Sequence, residues 1–108
     1  MTIRPGDFWV ANIPFTDGSA SKKRPVFVLW LDGRDAIVAV VTSAPPRTST
    51  DVLLINQRAS GLRMASTVRL SRLDCLEQSL LLFKLGRISS ADARNLKNVW
   101  TKHIKPQF

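Results

Sequence analysis

The stretch PVFVLWLDGRDAIVAVVTS, residues 25–43, restricts the possible folds more than any other part of the chain. It holds two apolar runs, residues 26–31 and 36–43, separated by the dipeptide Asp32-Gly33. Unbroken apolarity rich in β-branched residues marks strands covered on both faces. An Asp-Gly step between two such runs is a strong signal for a tight hairpin. A chain with this segment is organised around an antiparallel sheet.

The flanking segments extend that sheet. After Pro5-Gly6, DFWVANI reads as a strand with Trp9, Ala11 and Ile13 on one face and Phe8 and Val10 on the other, ended by Pro14. Residues 16–24 read as a loop whose last three positions are cationic: Lys22, Lys23 and Arg24. APPRTST, residues 44–50, is a stiff extended connection, because each proline fixes its own backbone and restricts its predecessor. It leads to a short strand at 51–55, a turn at Gly61 and a strand at 66–73. In that last strand Thr67, Arg69 and Ser71 form a wet face, and Val68 and Leu70, with Arg72, form the covered one. From Ser89 the period changes, and Ala93, Leu96, Val99, Trp100 and Ile104 form one apolar stripe of a helix with Ser89 or Ser90 as its cap. The expected fold is mainly β: one domain over residues 1–108, a small, strongly curved antiparallel barrel with a C-terminal α-helix.

With 108 residues and 44% hydrophobic side chains, the chain can bury a core without disulfides or metals. The single cysteine, Cys75, has no intrachain partner and reads as a small buried apolar residue. No leader or membrane-spanning pattern is visible, which makes a soluble cytoplasmic protein the expectation. The formal net charge is +8, and it is uneven: residues 51–108 carry ten Lys and Arg against four acids, residues 1–50 six against four. Such a balance suits a phosphate backbone or an acidic partner, or solubility alone.

Five pieces in order, GDFWVANI, KKRPVFVL, VVTS, GLRMASTVRLSRL and LGRIS, resemble the PemK/MazF-like toxins of bacterial type II toxin–antitoxin systems. The resemblance implies an SH3-like barrel that forms a homodimer, cleaves single-stranded RNA without a metal or cofactor, and is silenced by a cognate antitoxin. DNA would be met only through the antitoxin complex. It also implies a catalytic arginine in the RP motif, here Arg24, and a Thr or Ser ending the third strand, here Thr42. Arg69 matches a further family arginine, but Ser71 stands where some members have an aspartate, so their acid–base assignment does not transfer.

The same residues make sense as chemistry. Metal-free RNA cleavage drives a ribose 2′-OH onto the adjacent phosphate, and this requires proton transfer and a holder for the developing charge. Arg24 offers a planar fork of donors matched to phosphate oxygens, and Thr42 a hydroxyl at the end of the neighbouring strand. The hairpin should bring the two to one rim. Lys22, Lys23, Arg69, Ser71 and Phe15 are candidate RNA contacts, Phe15 through stacking. An arginine keeps its proton at neutral pH, so the general base is open, with Asp17 and Asp74 the available carboxylates. His103 is the only histidine and sits where it favours a helix C-terminus. Trp9, Trp30 and Trp100 have apolar neighbours and read as core. No zinc spacing or phosphate-binding glycine loop is present. Two other functions fit a related barrel: a toxin that traps a protein such as gyrase, and a noncatalytic RNA-binding module.

Overall fold

A computed structural model describes residues 2–14, 18 and 20–108. Its elements are strands β1 (Asp7–Pro14), β2 (Ser21–Asp32), β3 (Asp35–Thr42), β4 (Asp51–Leu53), β5 (Thr67–Glu77) and β6 (Leu81–Arg87), followed by helix α1 (Ser90–His103). The strands form one sheet in the order β4-β5-β3-β2-β1-β6, and every pairing in it is antiparallel. The fold is therefore mainly β with a C-terminal helix, as the sequence implies. The barrel is not closed, because β4 and β6 at the two edges do not pair with each other.

Each face of the sheet carries its own core, which is why the central strands are apolar at successive positions. On the helix side Phe8, Phe27, Ala39, Val41, Val68, Leu70 and Leu96 pack together, with Phe8 and Phe27 rings 4.9 Å apart. On the other side Trp9, Ala11, Val26, Val28, Val38, Leu76 and Leu81 pack together. Trp9 and Ala11 thus share a face opposite Phe8, as the alternation predicts. Register shifts between Val28 and Trp30 and between Ala39 and Val40 bend the sheet.

The cationic residues placed in a loop by the sequence belong to a strand instead. β2 begins at Ser21, and Lys22, Lys23 and Arg24 pair with Ile13, Asn12 and Ala11 of β1. These residues are exposed, so no apolar alternation announces them. Pro25 lacks an N–H, and it lies where the second side of β2 is still open, since pairing with β3 starts at Val26.

β6 has no counterpart among the expected strands. Its Gly86 lies so close to the 56–62 turn that a Cβ there would stand 2.5 Å from the Ala59 carbonyl oxygen. Gly61, with φ of 76°, is pressed against β6 in return: its Cβ would stand 2.0 Å from the Leu85 oxygen. The two glycines let the turn and the strand interlock.

Buried carboxylates fasten the ends. Asp7 accepts hydrogen bonds from the Arg87 guanidinium at 2.7 Å, the Arg4 N–H at 2.9 Å and the Trp9 indole at 3.4 Å, with the Lys84 ammonium at 3.5 Å. Burial alone would raise its pKa, but these donors and cations outweigh it and hold the carboxyl below its ordinary value. Ser89 is the helix cap and accepts the Asp92 N–H. The buried Asp92 carboxylate accepts the N–H groups of Ile55 and Asn56 at 2.8 and 2.9 Å, which ties the helix to the chain after β4.

Three further expectations are revised. Trp9 is core, but Trp30 is 43% exposed: the register shift beside it turns it to the helix side, where it meets Trp100 edge-on. Cys75 is exposed, because it lies on the face of β5 opposite to its buried neighbour Leu76. Its thiol is pushed above the ordinary value by local desolvation and by the carboxylates of Asp35, Asp32 and Asp74, which keeps it a poor nucleophile. Thr67, assigned to a wet face, is fully buried between its partners Thr42 and Leu53.

Candidate functional site

The residues that end β2 and β3 at one rim enclose a cleft of about 360 Å³. β2 supplies Lys22, Lys23, Arg24 and Pro25, and β3 supplies Val41, Thr42 and the following Ser43. The opposite wall is Leu62, Arg63, Met64 and Ser66, from the segment that enters β5. Val26 faces Val40 at the end of the β2–β3 ladder, and Arg24 and Thr42, each two residues beyond that pair, both line the cleft. The structure thus brings together Arg24, Thr42, Lys22 and Lys23.

Thr42 is held by the chain that follows it. Its hydroxyl oxygen accepts the Ala44 N–H at 3.2 Å, and its hydrogen remains available for donation. Thr67 lies directly across from it on β5, with its own hydroxyl buried and without a partner among the described residues. The lining carries four cations, counting Arg63, and no carboxylate. Such a donor set attracts an anion and repels a divalent cation. Among the described residues no group of His, Cys, Asp and Glu is placed to hold a metal ion.

Arg69 sits on the same face as Thr42, one step along the sheet, opposite Val40 and Asp51. It is outside the lining of the cleft, and its Nε donates to Asp51 at 3.3 Å. Desolvation would raise the Asp51 carboxyl, but the Arg47 N–H and the Arg69 guanidinium hold it below its ordinary value. Ser71 is exposed in the stretch of β5 where the pairing shifts. Asp74 is exposed, accepts its neighbour's N–H and does not line the cleft. Phe15 and Asp17 lie outside the described residues.

Sequence reasoning assigned no role to Leu62, Arg63, Met64 or Ser66. The available signal was an arginine and a methionine side by side in a glycine-led turn, polar enough to read as ordinary loop. A second cavity, of about 470 Å³, lies between β2 and α1. It is larger but mainly apolar, walled by Phe27, Leu29, Trp30, Leu96 and Trp100, and its Arg87 is already engaged by Asp7. The smaller cleft concentrates the chemistry. No described helix is long and apolar enough to cross a membrane.

The chain matches the family model of PemK-like, MazF-like toxins of type II toxin–antitoxin systems over residues 4–103. A comparison with curated protein sequences finds no match. Among solved structures it is similar to the Mycobacterium tuberculosis toxin MazF-mt6, with 19% identity and a TM-score of 0.71 over 89% of this chain and 93% of that one. It is also similar to a mycobacterial endoribonuclease in complex with its cognate antitoxin, with 13% identity and a TM-score of 0.71 over 94% and 93%. A MazE–MazF structure from Deinococcus radiodurans gives 18% identity and a TM-score of 0.71 over 94% and 92%. At these identities the structures show a common fold; the family model spans nearly the whole sequence, and the chain belongs to the PemK-like, MazF-like toxin family of type II toxin–antitoxin systems.

Proposed function

We propose that the chain is a cytoplasmic, metal-independent endoribonuclease that cuts single-stranded RNA at the basic cleft. The observation that carries this reading is the presence of Arg24 and Thr42 in one cleft at the end of the β2–β3 ladder, in a described lining of four cations and no carboxylate. In the reaction the 2′-oxygen attacks the adjacent phosphorus while its proton passes to a base. The bond to the 5′-oxygen breaks, and that oxygen takes up a proton as it leaves. The products are a 2′,3′-cyclic phosphate, which water can open to a 3′-phosphate, and a 5′-hydroxyl.

Arg24 holds the two non-bridging phosphate oxygens through its guanidinium as charge develops on them, and the Thr42 hydroxyl adds a donor to the same phosphate or orients the 2′-OH. Lys22 and Lys23 draw the backbone in without being matched to the reacting atoms. The described lining contains no carboxylate or imidazole. Its contribution is therefore charge stabilisation and positioning.

The physiological partner in this reading is an acidic antitoxin segment, and the working form is a homodimer. The +8 charge and the similarity to structures of toxins held by their antitoxins support the first. Contact with DNA would be indirect, through that complex. The test is incubation of the purified chain with long single-stranded RNA in excess chelator, followed by end-group analysis. Cutting that yields cyclic phosphates and 5′-hydroxyls supports the reading. Cutting that needs added magnesium, or that continues where the cut-site ribose is deoxyribose, rejects the mechanism. RNA binding without cutting would make the chain a binding module.

A further inference from the structure

The two walls of the cleft differ in character. On the β2 side it presents Lys22, Lys23 and Arg24; on the other, Leu62 and Met64 with Arg63 between them. Met64 is 60% exposed, so a large apolar side chain stands in water at the mouth of a cationic cleft. Its main chain is nevertheless fixed. The Met64 carbonyl accepts the Ser66 hydroxyl at 2.8 Å, the Leu62 N–H donates to Gln57, and the Leu54 N–H donates to the Ser66 carbonyl. Beneath this segment Gly61 is locked against Leu85. Arg63 has no ion-pair partner among the described residues.

A nucleotide is two-sided in the same way, with an anionic phosphate at one end and the apolar face of a base at the other. The cleft, about 360 Å³, is near the lower limit of ligand pockets, roughly 300–1,000 Å³, which suits one nucleotide and not a folded RNA element. With the phosphate against Arg24, the base is carried toward the opposite wall.

We propose that Met64 holds the face of the base next to the scissile phosphate, while Arg63 contacts the adjoining phosphate. Residues 62–66 then determine which nucleotide is accepted beside the cut. This rests on the endoribonuclease reading. An unbranched, polarizable thioether packs well on a π face, but it has no donor with which to read a base edge. It therefore selects by the extent of stacking and favours a purine over a pyrimidine at that position.

The test uses the full chain and short single-stranded RNAs built around a mapped cut site, identical except for one nucleotide beside the cut: a purine, a pyrimidine or an abasic residue. Affinity and single-turnover cleavage are measured for the unmodified protein and for Met64→Ala, Met64→Leu and Arg63→Ala. Loss of the base should weaken binding to the unmodified protein by about tenfold, the scale of one stacked base. Met64→Ala should remove most of that sensitivity and Met64→Leu should keep most of it, while Arg63→Ala should weaken all the RNAs alike and lower the salt dependence. If the unmodified protein and Met64→Ala cut RNA with the same sensitivity to the missing base, the inference is overturned and the endoribonuclease reading stands. If the unmodified protein cuts no RNA, both fall. If Met64→Ala weakens self-association or binding of an acidic peptide without changing base preference, the loop is a protein-docking surface and the inference is overturned.

Discussion

Arg24 and Thr42 belong to adjacent antiparallel strands, each two residues beyond the Val26–Val40 pair, and both line one cleft. A donor fork and a hydroxyl on two paired strands keep their spacing without relying on a loop, which is what a site for a developing oxyanion needs. Lys22 and Lys23 share the charge of Arg24 but lie further toward the exposed end of β2.

Replacing Arg24 by Lys keeps the charge and loses the bidentate fork. Single-turnover cleavage should slow by on the order of a hundredfold, the scale for losing one well-placed donor at a transition state. Lys22→Ala and Lys23→Ala should act more on affinity than on maximal rate, with a shallower salt dependence. If all three changes had the same effect, the end of β2 would be an electrostatic tether and the catalytic centre would be elsewhere.

Thr42→Val removes a hydroxyl at nearly constant shape, and its kinetic effect should resemble that of Arg24→Lys more than that of the lysine changes. The Ala44 N–H loses its acceptor in the same variant, so Thr42→Ser serves as the control. It restores the oxygen and should restore most of the rate.

Asp92→Ala leaves the N–H groups of Ile55 and Asn56 without acceptors and removes the contact to the Ser89 cap. Hydrogen bonds to a charged group contribute about 1.5–3 kcal/mol each, so thermal unfolding should occur several degrees lower. Asp92→Asn, which keeps one acceptor oxygen, should fall between. An unchanged melting temperature for the alanine variant would show that the helix is not held at this point.

Asp7 is held below the ordinary carboxyl value of 3.8 by its donors and cations. Between its native and unfolded values the unfolded chain binds more protons, so stability rises with pH there. The contribution is complete above about pH 3.8 and is lost as pH falls through the lower native value. Asp7→Asn should therefore be less stable than the unmodified chain at pH 7, by roughly 1–3 kcal/mol. The difference should shrink on acidification below the ordinary value, which denaturant titrations at several pH values would show. A constant difference across that range would mean that Asp7 acts through shape and not through charge.

What the sequence made legible was what burial makes periodic. The 26–31 and 36–43 runs and the helix stripe of Leu96, Val99 and Trp100 each face a core, and the resulting pattern is readable. The start of β2 was not, because Lys22, Lys23 and Arg24 are exposed and pair through main-chain bonds that leave no mark on residue type. β6 escaped because its residues 82–84 are exposed and Gly86 reads as a breaker, while its real role is close approach to Ala59. Trp30 and Thr67 went to unexpected surroundings through a register shift and a neighbouring strand, neither of which is encoded in local alternation. For the site, the motif placed Arg24 and Thr42 at one rim, whereas the opposing wall depends on tertiary contacts with the far end of the chain.

That dependence bears on when the proposed site can form during synthesis. Arg24 and Thr42 both belong to the first half of the chain, but the wall that faces them is locked by Gly61 against Leu85 and Gly86, and the strand leading to it is fastened by Asp92. A polypeptide still emerging from the ribosome therefore displays its arginine before it has a cleft. Under the proposed function the site is finished only after β6 and the start of α1 have left the exit tunnel.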